Sequence, residues 1–303
     1  MPSTLRDDTR IKLLDKCRGN HTIPTAIVWP CDDVSFLGAI YARDAGLIEP
    51  AFIAPSGKIS ELCDKHEVSI HPTCLYPAPT EEAAALTAIE LVKEGSHVAI
   101  MKGSLHTSDL MRPLVKHLRK PDSRISHCFV IESPAYHKPL IVTDAAINVS
   151  PDFDALCHII DNAAYLSEAL SRRVPKIAIL SATEEVTDKM SSTGLARALQ
   201  EEYSLSPIGY VEGPMALDVA VSKEAARIKG IDSFVAGDAD VLVCVNIEAA
   251  NALAKCLTNL GGAVAGGVVL GAEVPVILTS RSDDYHTRLM SCAVTNLLVN
   301  ARF

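Results

Sequence analysis

The sequence is 303 residues long, with 28 Lys and Arg against 37 Asp and Glu for a formal net charge of -9, and 48% of its residues are hydrophobic. That apolar share fills the core of one large or two smaller α/β domains, and the acidic balance argues against nucleic acid or an anionic membrane as the main partner. No apolar run approaches a membrane span, and the opening residues (MPSTLRDDTRIKLLDKCRGN) carry mixed charge at helical spacing without the apolar centre of a signal peptide, so a cytoplasmic location is expected. The nine cysteines are scattered singles, which excludes a zinc ribbon and argues against a disulfide framework.

In chain order, TAIVWP (residues 25–30) reads as a buried strand and residues 32–47 as a helix stopped at Gly46. PAFIAP (50–55) is a second strand, residues 57–66 a short helix, and residues 68–70 a short strand. TEEAAALTAIELVK (80–93) is a helix with a Thr80 cap, an acidic first turn and Gly95 as its stop. This alternation predicts a parallel sheet with right-handed crossovers. HVAIMKG (97–103) supplies the next strand, and SLHTSDLMRPLVKHLRK turns from its end into a helix. SHCFVIES (126–133) and PLIVTDAAIN (139–148), joined by the turn-like PAYHK, predict an antiparallel excursion. Ser150 as N-cap, with Pro151 at the first helical position, then opens a long helix to about Ser171, and the change of domain is expected here. KIAILSA (176–182), a helix over 188–203, an extended IGYVEG, a partly helical 217–229, ADVLVCV (239–245) and a helix over 246–260 form a second alternation. AGGVVLG (265–271) and VPVILT (274–279) read as strands, the latter apolar enough to be covered on both faces of a parallel sheet, and residues 284–303 close the chain as an amphipathic helix.

Two polar clusters carry chemistry. Ser280, Arg281, Ser282, Asp283 and Asp284 follow VPVILT, at the carboxyl end of a strand, where open α/β sheets bind ligands. A helix starting near Ser282 or Asp283 aims free N–H groups and a positive dipole end at the same place, which suits an anion; the plainer reading makes Ser282 an N-cap and the two aspartates dipole complements. The second cluster is Lys102, Gly103, Ser104, His106, Thr107 and Arg112, within MKGSLHTSDLMRP. It places cations, hydroxyls and a histidine beyond another strand end, beside a glycine that lets backbone N–H groups approach an anion; the plainer reading is a loop and a solvated helix face. GGAVAGG (261–267) fits neither a dinucleotide loop nor a P-loop, so its glycines read as close-packing residues. His66 and His71 are too far apart in sequence to be metal ligands on one helix face, and the absence of G-x-S-x-G disfavours covalent serine catalysis. Cations, hydroxyls and a carboxylate together suit holding a phosphorylated substrate and moving one proton.

The ordered segments MKGSLHTSDLMRP, TDAAINVSP, GPMALDVA, DADVLVCVNIEAANAL and VVLGAEVPVILTSR resemble, nearly end to end, the phosphate acetyltransferase/phosphate butyryltransferase family, which interconverts acyl-CoA plus phosphate with acyl phosphate plus CoA. The resemblance implies a two-domain α/β fold like that of isocitrate and isopropylmalate dehydrogenases, with parallel and mixed sheets, flanking helices and an active-site cleft between the domains. The first domain would hold residues 1–144 plus 284–303, and the second, dimerising one residues 145–283. It implies a homodimer with CoA as substrate and no metal or redox cofactor. It carries the family's Ser-Arg pair onto Ser280 and Arg281. The family's base, an Asp a few residues later, falls on Asp283 when the alignment is anchored from the last helix; Asp284 competes, because the loop after Arg281 is shorter than in typical acetyltransferases. Arg112 matches a phosphate-binding Arg, and Lys102, Gly103, Ser104, His106, Thr107 and Asp284 are expected at the substrates. The acyl chain, acetyl or butyryl, and the physiological direction stay open. The alternatives from other classes are an NAD-dependent dehydrogenase of the same architecture and a non-catalytic small-molecule-binding protein; a decarboxylating dehydrogenase would need clustered aspartates and a nicotinamide loop.

Overall fold

The computed structural model describes residues 12–279 and 284–301. Its elements are α1 (Lys12–Lys16), β1 (Ile23–Val28), α2 (Asp33–Asp44), β2 (Ile48–Ala54), α3 (Ser56–His66), β3 (Leu75–Pro77), α4 (Glu81–Lys93), β4 (Ala99–Lys102), α5 (Thr107–Leu118), β5 (Ser126–Glu132), β6 (Leu140–Thr143), α6 (Phe153–Ser171), β7 (Lys176–Leu180), α7 (Ser191–Glu202), β8 (Tyr210–Met215), α8 (Leu217–Val221), α9 (Lys223–Ile228), β9 (Val241–Val243), α10 (Ile247–Asn259), β10 (Val264–Leu270), β11 (Val276–Ile277) and α11 (Tyr285–Asn300). None of the described helices is long and apolar enough to cross a membrane.

All strands join one 11-stranded sheet in the order β3-β2-β1-β4-β11-β10-β5-β6-β9-β7-β8. β1 to β4 and β11 are parallel, as the alternation of strands and helices requires. β5 and β6 form the expected antiparallel pair, and β10 runs antiparallel to both β5 and β11. β6, β9, β7 and β8 are again parallel to one another.

Local chemistry fixes most helix starts. The side chains of Asp32, Thr80 and Asn246 accept from the N–H groups of Ser35, Ala83 and Ala249, satisfying donors that a helix N-terminus leaves free. The long α6 is capped by Asp152, which accepts from Ala155, so the start expected at Ser150 moves inward. Residues 68–70 form no strand; a 3-10 turn, Pro72–Cys74, precedes β3 instead.

The strand expected over 274–279 contracts to Val276–Ile277, because only those residues pair with both β4 and β10. The closing helix differs most from expectation. Instead of one solvated face, α11 has Arg288 to Asn296 buried without a break, together with Leu298 and Val299. Its polar groups are satisfied internally: Asn296 Nδ2 donates to the carbonyls of His21 and Leu47, and Thr295 Oγ1 to that of Ser291. The glycines of β10 let α11 approach closely, as their sequence reading required. A Cβ on Gly266 would lie 2.7 Å from the Met290 carbonyl carbon.

Candidate active site

β4 lies between β1 and β11, with Lys102 beside Val28 and Met101 beside Ile277. Three parallel strands therefore deliver their carboxyl ends to one short edge, the position at which such sheets bind ligands. After β1 come Trp29 to Asp32, β4 ends at Lys102 and is followed by Gly103 and Ser104, and after β11 come Leu278 and Thr279.

Gly103 is required at this edge, since a Cβ would come within 2.4 Å of the carbonyl oxygens of Val28 and Trp29. The Gly103 N–H donates to Val28 O at 2.8 Å and the Ser104 N–H to Trp29 O at 2.9 Å. The N–H of Gly103 thus ties β4 to β1. Ser104 Oγ donates to Trp29 O at 2.8 Å and accepts from the Cys31 N–H at 3.3 Å. Lys102 is 4% exposed, and its Nζ donates to the carbonyls of Gly103 and Leu105 at 3.1 and 3.2 Å. Burying an ammonium costs free energy unless its protons are met, and these carbonyls hold the charge at the edge.

His106 is the N-cap of α5 but caps through backbone geometry without a side-chain bond, and Thr107 is the first helical residue; both are exposed. Arg112 lies further along α5 and is also exposed. Lys102, Gly103 and Ser104 thus come together, His106 and Thr107 open the adjoining helix, and Arg112 reaches from its body. Ser280, Arg281 and Asp283 lie outside the described residues. Asp284 is the N-cap of α11, accepting from the Thr287 N–H at 2.9 Å, so the helix begins later than the expected Ser282 or Asp283.

Two residues at the edge escaped the sequence reading. Trp29, the sole tryptophan, has φ 56, a left-handed conformation uncommon for a bulky side chain. Its carbonyl, which receives both Ser104 donors, is turned toward β4. Arg288 is 4% exposed, and its Nη1 donates to Thr279 Oγ1 at 3.0 Å. The basic residue after an apparent N-terminal turn reads as solvated helix face, and only the packing of α11 reveals that it is buried.

A separate cavity of about 530 Å³ is lined by Lys16, Glu132, Lys138, Arg173 and Tyr210, among others, and shares none of its described lining residues with the strand-end cluster. Among the described residues no group of three or more His, Cys, Asp or Glu is placed to hold a metal ion.

Comparison with known proteins decides the class. Residues 79–296 match the family described as phosphate acetyl/butaryl transferase. The chain belongs to this family. As an acyltransferase it is 44% identical over 295 residues to a phosphate acetyltransferase of Rhizobium meliloti, covering 96% of this chain and 93% of that one. It is 31% identical over 261 residues to a phosphate butyryltransferase of Clostridium acetobutylicum, covering 85% of this chain and 87% of the relative. The solved structure of a branched-chain phosphotransacylase from Enterococcus faecalis V583 superposes with a TM-score of 0.80 at 31% identity, covering 92% of this chain and 99% of that one. The mixed α/β architecture with flanking helices is therefore the dehydrogenase-like fold of the phosphotransacylases.

Three of the acyltransferase's thiols are poorly suited to nucleophilic work. Burial, helped by the neighbouring Asp32 charge, pushes the Cys31 thiol beside Ser104 up to about 11. Burial likewise pushes Cys17 and Cys244 up to about 12. A thiol so raised carries almost no thiolate near neutrality.

Proposed function

We propose that this acyltransferase interconverts acyl-CoA plus phosphate with acyl phosphate plus CoA, with acetyl or butyryl as the acyl group. The observation that supports it most is the shared strand edge: buried Lys102, the start of α5 and the end of β11 adjoin one another, and the chain continues from Thr279 directly into Ser280 and Arg281. In the direction of thioester synthesis, Asp283 takes the proton from the CoA thiol. The thiolate sulfur then attacks the carbonyl carbon of the acyl phosphate, the C–O bond to phosphate breaks, and phosphate leaves. A free thiol has a pKa above neutrality and the thiolate is the nucleophile, so a base is needed. Ser280 orients the thiol or stabilises the developing oxyanion, and Arg281 with Arg112 holds the phosphate. His106, Thr107 and Lys102 complete a cationic, hydroxyl-bearing surface for the substrates. The reaction takes CoA as substrate and uses no metal or redox cofactor. We assign the site to a cleft between residues 1–144 with 284–303 and residues 145–283, in a cytoplasmic homodimer.

Loss of the thioester absorbance with acetyl-CoA and with butyryl-CoA, each in the presence of phosphate, tests the reading beside a parallel NAD reduction assay. Phosphate-dependent thioester consumption is expected; NAD reduction without it would overturn the reading. Asp283→Asn is expected to lower kcat about 10²- to 10⁴-fold with little change in KM, since a general base acts in the transition state. Asp284→Asn should keep most activity, because Asn caps a helix about as well as Asp. If Asp284→Asn is the inactive variant, Asp284 is the base; if neither is impaired, no base lies here.

A further inference from the structure

Arg288 has no part in the reading above, yet it is a buried cation one turn into α11, bonded to the last described residue before the Ser280-Arg281 pair. Among the described residues, β11 has ladder partners only through Ile277. Leu278 and Thr279 carry no strand pairing, and Thr279, 2% exposed, is held by its side chain: Oγ1 accepts from Arg288 Nη1 at 3.0 Å and points its own proton at Lys102 O, 3.5 Å away. Three elements meet in this link. Gly38 of α2 makes room for it, since a Cβ there would lie 3.0 Å from Arg288 Cδ and 3.8 Å from Met101 Cε. Asp284 caps α11 within a turn of Arg288, so the helix that carries the guanidinium has a fixed start.

A guanidinium is a costly way to fill a buried space. Replacing buried ionic groups with apolar ones of similar volume is often neutral or stabilising, so packing alone does not account for an arginine here. Its planar fork does supply a donor of fixed direction to Thr279. We propose that Arg288 is a positioning residue for acyl transfer. Through Thr279 it fixes the end of β11 against β4, and so the direction in which the chain enters the Ser280-Arg281 pair. Misplacing a reacting group by about 1 Å costs on the order of 10²-fold in rate, so a link this close to the proposed chemistry has kinetic leverage. The inference rests on the acyltransferase reaction proposed above.

The test compares Arg288→Met, Arg288→Lys, Thr279→Val and the Arg288→Met/Thr279→Val double variant of the full chain, measuring kcat, both KM values and the thermal midpoint. Arg288→Met and Thr279→Val are each expected to lower kcat at least about 10-fold, with KM for acyl-CoA and phosphate within about 3-fold of the parent. The double variant should be little worse than the poorer single one, because the same link is lost once. Arg288→Lys, which keeps a donor, should recover part of the loss. Should Arg288→Met fail to fold, Thr279→Val decides by itself, since it removes the hydroxyl through which the link runs and leaves the guanidinium in place. A folded Thr279→Val with parental kcat overturns the inference, as do losses that multiply in the double variant or a rise in KM at constant kcat. An unsubstituted chain that transfers no acyl group would instead refute the reaction itself, and this inference with it.

Discussion

His127 shows what a single residue can impose on the pH response of the whole chain. It sits in β5, 1% exposed, and among the described residues its Nδ1 has no hydrogen-bond partner. Gly267 of β10, two residues along from its partner Val269, leaves space for the ring, as a Cβ there would lie 2.8 Å from Nε2. Burial lowers the imidazole pKa to about 4; the Asp144 carboxylate pulls it upward, and Lys255 on α10 pushes it further down. The folded state therefore holds this ring neutral, whereas in the unfolded chain it takes up a proton near pH 6.5. Between those values the unfolded chain binds more protons, so the contribution to stability is complete above about pH 6.5 and is lost as pH falls toward 4. The whole difference is on the order of 3 kcal/mol. Urea midpoints at pH 7 and pH 5 should fall more steeply for the parent than for His127→Gln, and parallel declines would show that the ring does not carry the effect. Neither this residue nor Arg288 was legible in the sequence. Each is polar within a segment whose local pattern permits an exposed face, and only contacts between distant segments bury it.

Among elements, α11 and β10 illustrate both the reach and the limit of pattern. The capped helices were readable because Asp32, Thr80 and Asn246 act on donors only three residues away. The end of β4 was readable for a similar reason, as an apolar run broken by polar residues. The contraction of β11 and the full burial of α11 were not, because ladder length and depth depend on which partner strands lie alongside. The close packing implied by the glycines of GGAVAGG has a definite consequence. On Gly266 a methyl group would meet the Met290 carbonyl carbon at 2.7 Å and the Ser291 N at 2.8 Å, both backbone atoms that no rotamer change can move. Gly267 N–H also donates to Ser291 Oγ at 2.9 Å, so separating the two elements breaks a buried bond. Gly266→Ala is expected to destabilise by about 1–3 kcal/mol or more, read as a lowered urea or thermal midpoint. Gly57→Ala, in α3 with nothing within 4 Å of its new methyl, should be neutral or stabilising by up to about 1 kcal/mol. Equal effects of the two substitutions would mean that α11 can shift away from β10 at little cost.

Across the whole molecule, strand direction reverses about the centre of the sheet. β1 to β4 and β11 run one way, β6 to β9 the other, and the antiparallel pairs made by β5 and β10 join the two sets. The halves are thus tied by main-chain ladders as well as by side chains. α11 adds a second tie, because Leu289, Cys292, Ala293 and Val299 pack with residues of α2, β1 and β2, while Met290, Val294 and Leu298 pack with residues of α6 and β7. Unfolding either half would strip one side of this helix and expose apolar residues that the other half cannot cover. At about 25 cal/mol per Å² of apolar surface, that exposure opposes a state in which only one half is folded. The expected outcome is one cooperative transition. The sole tryptophan, Trp29 at the end of β1, reports on the first half by fluorescence, whereas far-UV circular dichroism reports on helices throughout the chain. Thermal midpoints from the two probes should agree within about 3 °C, the coincidence required of a two-state transition. Fluorescence and dichroism midpoints separated by more than about 5 °C would mean that the halves unfold as independent units, with the β5–β10 ladder and α11 too weak to couple them.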